Sequence, residues 1–275
     1  MAIQQVVDFR DEVAELDRLL STLSGADWTA PTGFKAWTPD DIVRHLHIGD
    51  VMALASATAP ASFVALVADI QAQRATGLSR IEETRRRLDG LGGAALRQRW
   101  RDTATTLCER LGGLPAEARL KWAGPDMGLR MFTTARQMET WSHAQAIYDL
   151  LGIERPAPSP RLRNIAEIGV RTFGWAYRNR GLAVPAVVPS VRLDTPFGES
   201  WTWEQPASTD GVEGPAVDFC QVVTQTRNVA DTALRITGDT ARHWMSIVQC
   251  FAGPPEDPPA AGSRRRKTGP SFRSG

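Results

Sequence analysis

Glu139 and His143 stand four residues apart in TTARQMETWSHAQAIYDLL, residues 133–151. At 3.6 residues per turn, a helix puts both side chains on one face, roughly one turn apart. Met131, Phe132, Ala135, Met138, Ala146, Ile147 and Leu150 share that face, so the pair is expected inside an apolar, core-facing stripe. A carboxylate buried there without a partner is costly, and a metal ion shared with the imidazole is one way to satisfy it.

The chain has four histidines. In PDDIVRHLHIGDVMALAS, His45 shares an arc with Ile42, Leu46, Gly49, Met52 and Ala53 and is expected to face inward. His47 points the opposite way, toward Asp40 and Arg44, and Asp50 at the edge of the arc is expected to meet solvent. His243 lies beside Trp244 in a later segment. Together His45, Glu139 and His143 would offer two imidazole nitrogens and one carboxylate oxygen. That set suits zinc, nickel, cobalt or iron and leaves positions open for water or substrate. The alternative is a buried Glu–His hydrogen-bonded pair without metal, with His45 a satisfied core histidine. Spacing alone leaves both readings open.

The elements that must position these residues are mostly helical. Residues 3–24 carry Val6, Phe9, Val13, Leu16 and Leu20 at helical spacing, and Ser24–Pro39 is a turn-rich connection. Thr38 caps the helix bearing His45, with Pro39 at its first position and acids in its first turn. A third helical region over 61–91 breaks near Gly77, and a fourth covers 94–111 between glycine pairs. After a loop at 115–128 comes the helix of Glu139 and His143. Short connections between such helices predict an up-and-down bundle.

Pro156, Pro158 and Pro160 mark a change of texture. Beyond them we expect a helix at 161–180, strands at 187–194 and 199–204, a turn at 211–214, a helix at 215–225, a strand at 231–237 and a helix at 239–251. The fold class is therefore α+β: a helical bundle over 1–155 that carries the candidate metal ligands, a small mixed α/β domain over 156–255 and a disordered tail over 256–275.

Composition excludes several classes of function. The 275 residues are 42% hydrophobic and 23% charged with a net charge of +1, which gives no field for nucleic acid or an anionic membrane. The basic run Arg264–Lys267 reads as a solvated end. No stretch approaches the roughly 18 apolar residues of a membrane span. Cys108, Cys220 and Cys250 form neither a disulfide framework nor a zinc ribbon, and the first residues do not form a signal peptide, so the cytoplasm is the expected compartment. A small-molecule substrate and a monomer or homodimer are expected.

GADWTAPTGFKAWTPDDIVRHL, with Trp28, Pro31, Trp37-Thr38 and His45-Leu46, resembles the opening segment of DinB-like four-helix-bundle metalloproteins. The likeness is to the mycothiol-dependent maleylpyruvate isomerase family in particular. TARQMETWSHAQAIYDLLG, with Arg136, Glu139, Trp141, His143 and Leu151-Gly152, is similar to that family's second metal segment. VDFCQVVTQTRNVADTALRITGDTARHWMSIVQCFAGPP is similar to the C-terminal portion of an actinobacterial branch, so the likeness spans most of residues 5–255.

The resemblance implies a divalent metal, usually zinc, on His45, Glu139 and His143, with mycothiol as thiol cosubstrate at the open position. It implies an isomerase if the thiol adds reversibly to an activated double bond, or an S-transferase if the adduct is kept. Arg227 corresponds to a C-terminal arginine that family members direct at the metal, and Trp37, Trp141 and His47 are weaker candidates for substrate contact. Two positions depart from the pattern: Ala146 replaces an aspartate three residues after the second histidine, and His47 replaces a small residue. Both bear on the reaction more than on the metal. A thiol-independent metalloenzyme of a biosynthetic pathway, working by hydrolysis, cyclisation or rearrangement, and a non-catalytic metal- or small-molecule-binding protein are the alternatives.

Overall fold

The structure is a computed structural model that describes residues 2–122 and 124–264. The chain divides into two compact units, Met1–Ala144 and Gln145–Gly275, which meet within the long helix that bears Glu139 and His143.

In the first unit, α1 (Gln4–Leu20) buries Val6, Phe9, Val13, Leu16 and Leu20, the spacing read from the sequence. A single-turn α2 (Gly25–Thr29) interrupts the expected connection, held by a capping box between Ser24 and Asp27. Next, α3 (Pro39–Thr58) starts as expected: Thr38 Oγ1 accepts from the Asp41 amide at 3.2 Å and Asp41 Oδ2 accepts from the Thr38 amide at 3.1 Å. The third helical region is two helices, α4 (Pro60–Ala75) and α5 (Arg80–Arg87), parted at Gly77, whose φ of 96° belongs to the left-handed region. Then α6 (Gly93–Gly112) packs against both α1 and α3. A small antiparallel ribbon, β1 (Arg119–Leu120) and β2 (Met127–Gly128), lies in the segment expected as loop and leads into α7 (Leu129–Leu151).

Cross-helix contacts fix the direction of α7. His45 of α3 meets Glu139, while Asp50, further along α3, meets Arg136, earlier in α7. The two helices therefore run antiparallel, and α1, α3, α6 and α7 form the up-and-down bundle that the short connections predict.

Asp41 also fastens α5 to α3, accepting from Arg85 Nε at 2.8 Å and Nη2 at 2.7 Å. Burial pushes the Asp41 carboxyl up, but the bonds from Arg85 and Thr38 outweigh it and hold the group below the usual carboxylate range. Its stabilising contribution is then complete above the unfolded pKa and is lost as pH falls through the folded one. Asp41→Asn should be less stable than wild type at neutral pH and lose less stability between about pH 5 and pH 2, as followed by urea unfolding.

The second unit begins with the end of α7. The expected helix at 161–180 is instead α8 (Arg163–Arg171) and α9 (Phe173–Arg178), parted at Thr172, whose hydroxyl donates back to the Ile168 carbonyl at 2.7 Å. Strands β3 (Ser190–Asp194) and β4 (Ser200–Trp203) form an antiparallel hairpin. The glycine-rich stretch expected as a turn is a strand, β5 (Gly211–Pro215), paired parallel to β3 with Val212 fully buried. The α10 helix (Ala216–Val223) follows and packs on β3 and β5, and β6 (Arg235–Thr237) pairs antiparallel to β5, giving the order β4-β3-β5-β6. Gly214 is needed here: its φ is 138°, and a Cβ would stand 3.1 Å from the Ala233 carbonyl. Finally, α11 (Asp239–Ile247) buries Ala241, Trp244 and Met245.

Residues 256–264, expected to be disordered, are instead tied to the second unit. The Glu256 amide donates to Gln249 Oε1 at 2.9 Å, Asn228 Nδ2 to the Pro259 carbonyl at 2.7 Å, and the Gly262 amide to the Asp231 carboxylate at 2.9 Å. These amide and carboxylate partners outweigh what Pro-rich composition alone suggests. The remainder of the expected tail, 265–275, lies outside the described residues.

Candidate metal centre

His45, Glu139 and His143 come together in the first unit, their donor atoms all within 4.8 Å of one another. His45 Nε2 lies 3.2 Å and His143 Nε2 3.5 Å from the same oxygen, Oε2 of Glu139. The imidazole centroids are 4.7 Å apart. All three side chains keep some exposure, 14%, 22% and 11% in sequence order, so the cluster opens to solvent.

This openness differs from the expected core-facing stripe. Along α7 the line Met131–Ala135–Glu139–His143 is half-buried, while Phe132 and Met138 beside it and Thr133, Arg136, Gln137 and Thr140 around it are buried. The threonines reach that state by donating to their own helix, Thr133 to the Leu129 carbonyl at 2.8 Å and Thr140 to that of Arg136 at 3.0 Å. Polar flanks are thus hidden, and the line that carries Glu139 and His143 is open. On α3, His45, Gly49 and Met52 form a matching half-buried line.

Burial pushes the His45 imidazole down to about 4, with the charges of His143 and Arg80 in the same direction and Glu139 opposing. Burial also works against an ionised Glu139, but hydrogen bonds from His143 and His45 outweigh it and hold its carboxyl well below the usual range. A neutral His45 and an ionised Glu139 are the forms in which these side chains ligate a metal. The donor set therefore fits a divalent ion: two nitrogens and one oxygen, already converged, with one side open.

Trp37 lines this cluster, as anticipated. Its ring lies parallel to His143, 4° between planes at 5.9 Å, and meets His45 edge-on at 5.4 Å. Phe34, which sequence reasoning missed, meets His143 edge-on at 5.1 Å. A tight turn presents both rings. The Thr32 amide donates to the Trp37 carbonyl at 2.9 Å, and the Phe34 amide to Thr32 Oγ1 at 3.1 Å. Between the aromatics, Lys35 and Ala36 have φ of 51° and 55°, left-handed values that cost a side-chain-bearing residue roughly 1–2 kcal/mol each. Neither is glycine, so the turn-rich connection read from the sequence carried no sign that these two positions are left-handed.

The other anticipated contacts fall elsewhere. Trp141 is buried at 4% exposure. His47, expected to face outward, is 4% exposed because α3 is covered by α6 on that side as well. Its Nδ1 has no hydrogen-bond partner among the described residues, and burial, with Arg99, lowers its pKa to about 4. Arg227, in the second unit, is buried and forked onto Asp149, with Nη1–Oδ2 at 2.7 Å and Nη2–Oδ1 at 2.6 Å. His243 is exposed, edge-on to Tyr177.

Asp50, expected in solvent, is fully buried. Its Oδ1 accepts from Arg136 Nε at 3.0 Å and its Oδ2 from Trp100 Nε1 at 3.0 Å. Burial pushes the Asp50 carboxyl up, with the Arg136 charge opposing.

Cys108, Cys220 and Cys250 are buried and form no disulfide with one another. Burial pushes the Cys108 thiol up to about 12 and the Cys220 thiol well above its usual value. Because the thiolate is the reactive form, Ellman's reagent should modify these thiols in the native protein only at the rate of unfolding, and promptly in urea.

An up-and-down bundle with a histidine–glutamate–histidine cluster between antiparallel helices, joined to a small sheet unit, is the architecture of a DinB-like protein. The chain belongs to the mycothiol maleylpyruvate isomerase family, whose N-terminal domain model matches residues 9–148. It is 37% identical over 250 residues to uncharacterized proteins of Mycobacterium tuberculosis strains CDC 1551 / Oshkosh and ATCC 25618 / H37Rv, spanning 91% of this chain and 96% of each relative. Among solved structures, a mycothiol-dependent maleylpyruvate isomerase superposes with a TM-score of 0.54 at 16% identity, covering 86% of this chain and 92% of that one. A histidine-to-alanine mutant of the mycothiol-dependent maleylpyruvate isomerase gives 0.53 at 15%. These likenesses establish the shared fold. No helix among the described residues is long and apolar enough to cross a membrane.

Proposed function

We propose that the chain is a metal-dependent enzyme that acts on a small electrophilic metabolite with mycothiol as thiol cosubstrate, as an isomerase or S-transferase. The observation that carries this reading is the convergence of His45 and His143 on one oxygen of Glu139, at a partly open site in a member of this family. His45, Glu139 and His143 would hold a divalent metal, most readily zinc. When bound, that ion would act as a Lewis acid that lowers the pKa of a thiol or water.

The protein's own residues supply the rest. Trp37 and Phe34 form an aromatic wall that fixes the His143 ring and keeps water from one side of the cluster. Met131, Ala135 and Met52 continue the open line on the two helices with apolar surface suited to the carbon skeleton of a small substrate. All three thiols are buried, and burial holds those of Cys108 and Cys220 in the protonated form, so a thiol reaction here draws its sulfur from a cosubstrate. Buried cysteines that form no disulfide with one another also agree with a cytoplasmic setting.

A thiol-independent metalloenzyme is the second reading. Arg227 favours it, because its guanidinium is occupied by Asp149, and Ala146 offers no carboxylate beside the cluster. Thermal denaturation of the zinc-loaded protein separates the two. Mycothiol at 100 times its dissociation constant stabilises by about 2.7 kcal/mol, on the order of 5–10 °C in Tm for a chain of this size. No shift at millimolar mycothiol would leave the thiol-independent reading.

A further inference from the structure

We propose that the buried Asp50–Arg136 pair, admitted by the missing side chain of Gly49, is a positioning device that sets His45 against Glu139 and His143. The inference rests on the metal reading above. Its argument is geometric. The three donors come from two helices, so their spacing depends on how α3 and α7 are aligned along their lengths. A slip of one residue moves a helix by about 1.5 Å, whereas metal–ligand distances tolerate about 0.2 Å. Something must hold the alignment when no metal is bound.

Arg136 stands three residues before Glu139, and Asp50 five residues after His45. Arg136 donates from Nε to Asp50 Oδ1 at 3.0 Å, with Nη2 2.9 Å from the same oxygen, and reaches the Leu46 carbonyl at 3.4 Å. From α6, Trp100 Nε1 donates to Asp50 Oδ2 at 3.0 Å. One carboxylate thus ties three helices together within two turns of all three donors. Gly49 makes the approach possible: a Cβ there would stand 2.8 Å from both Nη1 and Nη2 of Arg136. Gly49 also lies one turn after His45 on the same half-buried line of α3. A buried ion pair adds little net stability over a well-packed apolar pair, but its directional bonds are broken by any slip. That property suits alignment, and Arg136 and Asp50 are positioning residues that act through the ligands.

The test compares wild type, Gly49→Ala and Arg136→Lys with Asp17→Asn. The last removes an inter-helix ion pair of α1 and α6, Arg97 Nε–Asp17 Oδ1 at 2.7 Å, away from the ligands. Zinc affinity is read by competition with a chromophoric chelator, ligand geometry by the visible spectrum of the cobalt(II) form, and stability by the Tm of metal-free protein. Gly49→Ala and Arg136→Lys should bind zinc about 10–100-fold more weakly with altered cobalt bands, while Asp17→Asn keeps wild-type affinity and spectrum whatever its Tm. Folded variants with wild-type affinity and spectrum would overturn the proposal, as would an equal loss in Asp17→Asn. Wild type that takes up neither ion would remove the metal reading itself, a result distinct from both.

Discussion

Glu139→Gln should abolish zinc binding and turnover together while leaving the bundle folded. The substitution removes the one oxygen that both imidazoles approach, at 3.2 and 3.5 Å, and puts a neutral amide in its place. Loss of a supporting residue costs about 10–100-fold in metal affinity, so loss of a ligand should exceed that, and the cost in activity should match it. The fold should survive because the cluster lies on a half-buried line while the core is built from Phe132, Met138, Trp100 and Leu46 around it. Circular dichroism of the variant beside its zinc content and activity checks both halves. Zinc retained at the wild-type level would show that Glu139 is not a ligand and would refute this donor set.

Arg136→Ala should be among the strongly destabilising single changes in the first unit. It leaves the fully buried Asp50 carboxylate facing Trp100 alone and opens a cavity beside Gly49. Breaking a buried ion pair from one side costs about 3–5 kcal/mol, because the surviving charge stays desolvated. Urea unfolding should show the midpoint falling with the slope unchanged. The double variant Asp50→Leu with Arg136→Met should recover much of that loss, since it removes both charges together. A double variant as unstable as Arg136→Ala would mean that packing, not the stranded charge, sets the cost.

Much of this arrangement was legible in the sequence, for identifiable reasons. The start of α3 is written in Thr38, Pro39 and Asp41, a cap whose chemistry is local, and the structure places it there. Helical spacing puts His45 on one inward arc and Glu139 with His143 on another, and the family resemblance is what joins the three into one set. What spacing could not show was which face of α7 stays open. An amphipathic reading assumes polar residues outside, but Thr133, Thr140, Arg136 and Asp50 find partners within the bundle. His47 was misread for a related reason: α3 is covered on more than one side, so opposite faces of it are both buried. In the second unit, glycines at 211 and 214 read as a turn because local propensity is silent about the parallel pairing to β3 that makes them a strand. Arg227 was placed by resemblance, and its partner Asp149 lies 78 residues away in the chain, beyond any local pattern.

The most direct test is the metal content of the full-length protein, purified without added metal and without chelating tags, for wild type and His143→Ala. We expect about one divalent ion per chain in wild type, or uptake to that level when zinc is supplied, and none retained by His143→Ala. Trace metal in wild type with no uptake from zinc, or full metal in His143→Ala, would contradict the account.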